Sequence, residues 1–74
     1  MMKLKELPLD LRNDAEELIR LSIEESRNED EALERHYEVV VTAAENRMMK
    51  RGYHFTWWVS HQTNEIGPRF WPID

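Results

Sequence analysis

The sequence predicts an α+β fold, with a two-helix antiparallel hairpin followed by a small C-terminal β-hairpin or an extended aromatic tail. Apolar residues recur every three or four positions through most of residues 9–51, which is typical of amphipathic helices. From residue 53 the pattern alternates with a period of two, which is typical of a strand. The 74 residues are enough for one small domain, comprising an N-terminal arm (1–8), the helical hairpin (9–51) and the β or extended segment (53–74).

The first helix is predicted from about residue 9 or 10 to about residue 27. Pro8 suits this start, because an amide N–H in the first turn has no partner within the helix. Asp10 is one candidate N-cap. The alternative is Asn13, which would form a capping box with Glu16 three residues later. We expect the leucine-containing arm before this helix to be partly ordered against the body.

The second helix is predicted from about residue 29 to 51. Asn28, with Glu31 three residues later, matches a capping box and is the predicted N-cap. Three consecutive valines at 39–41 would also suit a strand, but the spacing of apolar residues on both sides favours a helix. Lys50 and Arg51 in the last turn, followed by Gly52, indicate the C-terminal end.

The C-terminal segment is predicted to begin with a strand that has two different faces. In the alternating pattern Trp57 shares the inner face with Tyr53 and Phe55, whereas Trp58 is left toward solvent. Residues 63–68 are turn-like, and residues 69–71 suit a short return strand ended by Pro72. An extended tail wrapped on the helices is the alternative.

The predicted core combines the apolar stripes of both helices with the inner face of the strand. Its members are Leu11, Ala15, Leu18, Ile19, Ile23, Leu33, Tyr37, Val40, Val41, Ala44, Met48, Phe55, Trp57 and Val59. Two helices cover this much apolar surface poorly. We therefore expect either a homodimer built on the helical face or a complex with a larger protein.

Charge is distributed unevenly along the chain. Residues 1–45 carry 6 basic and 13 acidic side chains, whereas residues 46–74 carry 4 and 2. An acidic body repels phosphate, so nucleic acid is an unlikely partner except through the C-terminal segment. The absence of Cys fits a reducing setting, and no apolar run approaches the roughly 20 residues of a membrane span. We expect a cytoplasmic protein without a membrane partner.

No motif for catalysis or metal binding is evident. The three His residues show neither HExxH nor the short His–His spacing of a zinc site. The carboxylates lie on predicted solvent faces, where nothing would shift their pKa toward acid–base work. A Gly-rich phosphate loop, a GxSxG turn and a Cys nucleophile are also lacking. We predict no enzymatic activity, catalytic residue, metal or cofactor.

The predicted partner-binding site lies in the aromatic segment. Trp58, joined by Trp71, is the expected anchor, because Trp and Arg dominate interface hot spots. If the arm or the tail folds over Trp58, its role is structural instead. The predicted basic rim of the site comprises Arg47, Lys50, Arg51, His54 and Arg69.

The leading functional hypothesis is a non-enzymatic regulatory module that docks on a larger protein. Small acidic domains of this composition are common among accessory factors of phages and mobile elements. Host transcription or replication enzymes would be natural targets, since their basic surfaces can meet an acidic helix. One alternative is single-stranded nucleic-acid binding through the basic and aromatic C-terminal segment. The other is a structural homo-oligomer.

Overall fold

Two helices followed by a two-stranded antiparallel sheet form the protein in a computed structural model that describes residues 1–73. A 3-10 helix, Leu4–Glu6, precedes α1 (Leu9–Arg27) and α2 (Glu31–Lys50). The strands are β1 (Tyr53–Val59) and β2 (Ile66–Pro72). The predicted α+β class is confirmed. Of the two forms considered for the C-terminal segment, the structure shows the β-hairpin.

The two helices are antiparallel. Only residues 28–30 connect them, and side chains near the end of α2 contact the first half of α1. Arg47 forms an ion pair with Glu17 at 3.2 Å, and Arg51 forms one with Asp10 at 2.5 Å. Gly52 follows α2 with a φ of 93°, a conformation that glycine adopts at little cost. The predicted C-terminal end of α2 is therefore confirmed.

The predicted N-caps are wrong for both helices. Helix α1 follows Pro8 without a side-chain cap, while Asp10 and Asn13 lie inside the helix. Helix α2 is capped by Asp30, whose carboxylate accepts a hydrogen bond from the Ala32 amide at 2.9 Å. Asn28 braces the connection instead: its side chain donates to the Asp30 carbonyl and accepts from the Asp30 amide. With Asn28 used in this way, α2 begins two residues later than predicted.

The return strand is longer than the sequence indicated, because residues 66–68 belong to β2 rather than to a turn. In the register of the hairpin, Phe55 lies opposite Phe70 and Trp57 lies opposite Pro68. Phe70 exchanges both of its backbone hydrogen bonds with Met2, at 2.6 and 2.8 Å. The backbone N–H and C=O of Phe70 therefore point away from β1. Pro68 precedes Phe70 by two residues, so its backbone nitrogen and carbonyl also point away from β1. The missing N–H of Pro68 therefore removes no hydrogen bond between the strands.

The N-terminal arm is bound to the body through its backbone. Besides the bridge between Met2 and Phe70, the Arg12 guanidinium donates to the carbonyl of Leu7 at 3.1 Å and to that of Lys5 at 2.6 Å. The Leu7 side chain is buried in the core. These contacts hold the arm along the free edge of β2 and against the start of α1.

The core lies between the helical hairpin and the inner face of the sheet. Six predicted members are buried, and five more (Ile19, Ile23, Tyr37, Val40 and Phe55) are half-buried. Leu33, Trp57 and Val59 are exposed, so their assignment to the core is wrong. The sheet covers only the C-terminal half of α2, where the buried residues of that helix lie, and leaves Leu33 uncovered. The buried set is Leu7, Leu11, Ala15, Leu18, Leu21, Val41, Ala44, Met48 and Phe70.

Within residues 1–73, neither helix combines the length and the apolar character that crossing a membrane requires.

Candidate protein-binding surfaces

One candidate surface is the side of the sheet that faces away from the helices. We call it the outer hairpin face. It is made of alternate residues of the two strands: His54, Thr56, Trp58, Arg69 and Trp71. The ring centroids of His54 and Trp71, which are cross-strand neighbours, lie 5.6 Å apart. Four of the predicted partner-binding residues are therefore brought together on this face.

Trp58 is half-buried on this face because Arg69 covers it. The Arg69 Cζ atom lies 5.1 Å from the centroid of the Trp58 ring, in a cation–π arrangement. Gly67, directly opposite Trp58, leaves room for the guanidinium. A Cβ at Gly67 would lie 2.7 Å from Arg69 Nη1. The same Nη1 donates a hydrogen bond to the Pro68 carbonyl at 2.8 Å.

The predicted basic rim is divided between two parts of the molecule. Arg69 and His54 lie on the outer hairpin face. Arg47 and Arg51 extend to carboxylates of α1, so their guanidinium groups link the helices rather than surround Trp58. Lys50 is exposed in the last turn of α2. No observation tests whether any of these residues binds a partner, and their assignment to a partner-binding site stays a prediction.

A second candidate surface was not predicted from the sequence. It is a groove along α1 made of two adjoining depressions, which share Ile23 and the exposed Arg27. Ile19 lines the first of them. Leu4 of the arm lines one part of the groove, and Trp57 and Ile66 line the other. We call the surface formed by the five apolar residues, Leu4, Ile19, Ile23, Trp57 and Ile66, the α1 groove. Trp57 is 39% exposed although its ring packs edge-on against Phe55 at 5.7 Å, and Ile66 is 71% exposed.

The sequence carried only an indirect signal for this groove. The sequence pattern places Ile19, Ile23 and Trp57 in the predicted core and Ile66 in a predicted turn. The useful signal was the excess of apolar residues over what two helices can cover. Which of them remain uncovered depends on where the hairpin lies on the helices, and that is a tertiary property.

An acidic surface adjoins the groove. It surrounds the connection between the helices, and we call it the acidic turn: Glu25, Glu29, Asp30, Glu31, Glu34 and Glu38. Glu25 also lines a depression beside Trp57 and Phe55, so the acidic turn and the α1 groove are neighbours. In the described part of the chain, the ion pairs involve Glu24, Glu17 and Asp10, and none involves a carboxylate of the acidic turn.

Across residues 1–73, no three His, Asp or Glu side chains converge closely enough to hold a metal ion. The chemistry that these surfaces offer is apolar contact, aromatic stacking and charge.

Comparisons of the chain with protein-family models, with curated protein sequences and with solved structures gave no match. The fold and its surfaces define a small α+β domain with an exposed apolar groove.

Proposed function

We propose that this chain is a non-enzymatic protein-binding module that docks on a larger protein through the α1 groove. The observation that carries the proposal is the exposed Trp57, which stands beside Ile23 and the largely exposed Ile66 in one concave surface. Buried Trp side chains contribute heavily to interface energetics. A large aromatic ring left at the rim of an apolar groove has the properties of such an anchor.

The arrangement of the groove supports binding over a purely structural role for Trp57. The edge-on contact with Phe55 supports the Trp57 ring on one side, and the 39% of Trp57 that is exposed borders the groove. A partner that covers Trp57 would pack against a side chain that is already oriented. Less conformational entropy is then lost on binding, which favours affinity.

We retain a transcription or replication enzyme as the expected larger protein. Such enzymes carry basic surfaces for nucleic acid, and the carboxylates of the acidic turn would steer this domain toward them. A regulatory effect would follow if docking hides part of such a surface.

The test is affinity capture from cell lysate with three tagged baits: the unchanged chain, Trp57→Ala and Trp58→Ala. Each capture is run with and without nuclease, and circular dichroism confirms that each bait is folded. Trp58→Ala is the matched control, because it removes the same side chain from the other face of the same strand. The captured protein is then purified, and its affinity for each bait is measured.

We expect one stoichiometric protein that survives nuclease, is lost with Trp57→Ala and is retained by Trp58→Ala. Loss with Trp58→Ala alone would move the docking surface to the outer hairpin face, as the sequence predicted. Capture that disappears with nuclease would favour the nucleic-acid alternative. A bait that retrieves only its own chain would favour the homo-oligomer.

The nucleic-acid alternative draws less support from the geometry. Stacking on bases needs open aromatic rings beside cations that hold phosphates. On the outer hairpin face Arg69 already lies over Trp58, and the nearby arginines of α2 are paired with carboxylates.

A further inference from the structure

The α1 groove is open to side chains but poorly suited to an added strand. The edge of β2 beyond the Met2 bridge is formed by Ile66 and Pro68, whose peptide groups point away from β1. Strand addition depends on a series of backbone donors and acceptors along such an edge. Pro68 has no N–H, and its carbonyl already accepts a hydrogen bond from Arg69 at 2.8 Å. A partner is therefore better accommodated as a helix that inserts side chains.

The groove has the shape and composition that an amphipathic helix requires. Its apolar residues come from three segments that surround a concave surface: Leu4 from the arm, Ile19 and Ile23 from α1, and Trp57 and Ile66 from the hairpin. An amphipathic helix presents apolar side chains at spacings of three and four residues, which can fill such a groove.

The charge of this chain next to the groove indicates which side chains the polar face of the partner helix carries. The six carboxylates of the acidic turn begin at Glu25, which lines the depression next to Trp57. They have no ion-pair partner within the described residues. Arg20, in the part of the groove next to Leu4, is already paired with Glu24 at 2.5 Å, whereas the exposed Arg27 lines both parts of the groove and has no ion pair within the described residues. Lysine or arginine side chains that extend past Trp57 toward Glu25 and the acidic turn would therefore meet uncompensated negative charge.

A second copy of this chain fits the surface less well. Near the end of α2, Arg47 and Arg51 are engaged by Glu17 and Asp10 of α1, whereas Lys50 forms no ion pair within the described residues. The other helix carries a majority of acidic side chains. The helix α2 likewise carries more acidic than basic side chains, so a second copy would bring further negative charge to the acidic turn.

On the basis of the proposed protein-binding function, we infer that the partner presents a basic amphipathic helix. Its apolar side chains occupy the α1 groove between Leu4 and Ile66, and its lysines or arginines face the acidic turn. Affinity then has two separable parts. The apolar part is insensitive to salt, whereas the charged part weakens as salt screens it.

The probes are three synthetic peptides of about 18 residues, long enough for roughly five helical turns. All three carry Leu at the apolar positions of an amphipathic helix. The remaining positions are Lys in the first peptide, Gln in the second and Glu in the third. Binding to the full chain is measured by titration calorimetry. Chemical-shift changes of the Trp57 and Trp58 indole N–H groups locate the contact.

We expect the Leu/Lys peptide to bind one to one, at least about tenfold more tightly than the Leu/Gln peptide, and to weaken about tenfold between about 50 and 500 mM KCl. The Leu/Glu peptide should not bind. The indole signal of Trp57 should shift, and that of Trp58 should not. Ile66→Ser should lose most of the affinity, because this exposed side chain contributes apolar contact.

A pair of double variants separates the acidic turn from the overall charge of the chain. Glu29→Gln with Glu34→Gln removes two charges from the acidic turn, and Glu6→Gln with Asp14→Asn removes two charges elsewhere. The first double variant should weaken the Leu/Lys peptide several-fold more than the second. Equal effects of the two, equal binding of the three peptides, or no binding of any peptide would overturn the inference. If Trp57-dependent capture of a protein persists in that case, the proposed function stands and only the chemistry of the partner is wrong.

Discussion

The absence of a side chain at Gly67 determines how Trp58 and Arg69 pack on the outer hairpin face. Gly67 lies directly opposite Trp58 in the hairpin. The Arg69 guanidinium lies so close to Gly67 that a Cβ at this position would be 2.7 Å from Arg69 Nη1. Cross-strand pairing of an aromatic ring with glycine is one way in which a two-stranded sheet compensates for the missing side chain. Here the arginine completes the arrangement and shields Trp58.

Gly67→Ala should displace the Arg69 guanidinium from the Trp58 ring. Only the flexible end of the side chain has to move, so the chain stays folded and loses the cation–π contact, about 0.5–1 kcal/mol at an exposed site. The measurement is a double-mutant cycle of unfolding free energies for Gly67→Ala and Arg69→Ala. In the Arg69→Ala background, Gly67→Ala should be neutral or stabilising, because alanine is more favourable than glycine within a strand. Equal effects in both backgrounds would contradict the arrangement.

At the scale of elements, the connection between the helices is held by two polar side chains with different roles. The Asn28 side chain donates a hydrogen bond to the Asp30 carbonyl and accepts one from the Asp30 amide. The Asp30 carboxylate in turn caps α2 by accepting a hydrogen bond from the Ala32 amide. These side chains stabilise the three-residue connection because they accept hydrogen bonds from the Asp30 and Ala32 amides, which the start of a helix leaves without a backbone acceptor.

Asp30→Ala should destabilise the chain by about 1 kcal/mol, the usual cost of losing an N-cap. Asp30→Asn should keep most of that stability, because its side-chain oxygen can still accept from the Ala32 amide. The stability of both variants is measured by thermal unfolding in about 500 mM KCl, where charge repulsion in the acidic turn is largely screened. If Asp30→Asn is as destabilised as Asp30→Ala, the charge rather than the cap is responsible.

The arm is an element without regular structure over most of its length, and it depends on one side chain of α1. Arg12 donates to two carbonyls of the arm, while Met2 pairs with Phe70. These contacts place Leu4 at the side of the α1 groove. The arm therefore contributes to the proposed binding surface as well as to the core.

Arg12→Ala should loosen the arm and destabilise the chain by about 1–2 kcal/mol, because two charge-assisted hydrogen bonds are lost. Hydrogen exchange of the Met2 and Phe70 amides should accelerate. Arg20→Ala is the matched control, since it removes an arginine that forms only an exposed ion pair with Glu24. Its effect should stay within about 0.5 kcal/mol. Unchanged exchange in Arg12→Ala would show that the backbone bridge alone holds the arm.

At the scale of the whole molecule, like-charge repulsion is concentrated at one end. The chain carries a formal net charge of −5 at pH 7, and six carboxylates lie in the acidic turn. The ion pairs among residues 1–73 are exposed and lie elsewhere, and exposed pairs contribute little. We therefore expect repulsion in the acidic turn to outweigh attraction within the chain, and a basic partner to relieve it.

Raising KCl from about 50 to 500 mM should therefore stabilise the chain, by roughly 1 kcal/mol in the free energy of unfolding by urea. The double variant Glu29→Gln with Glu34→Gln should have a higher free energy of unfolding at low salt, and that free energy should change less with the KCl concentration. A decrease in stability with KCl would mean that the three ion pairs outweigh the repulsion.

The sequence was informative wherever local chemistry decides structure. The periods of 3.6 and 2 predicted both helices and the first strand, and Gly52 predicted the end of α2, because these signals depend on neighbouring residues alone. The caps were less predictable, since Asn28 and Asp30 are both good caps and the geometry of the connection chooses between them. For the candidate sites, alternation correctly separated the faces of Trp57 and Trp58 but did not predict how exposed each would be.

What the sequence determined by itself is the α+β class, the order of the elements and the two faces of the first strand, because periodicity follows from backbone geometry. Only the tertiary structure decided which apolar side chains remain uncovered. Phe70 is fully buried because it joins the core cluster with Ala44, Met48 and Leu7 and pairs with Met2 of the arm, whereas Trp57 lies at the rim. Burial depends on contacts between segments distant along the chain, and the α1 groove, built from three such segments, exists only once they are assembled.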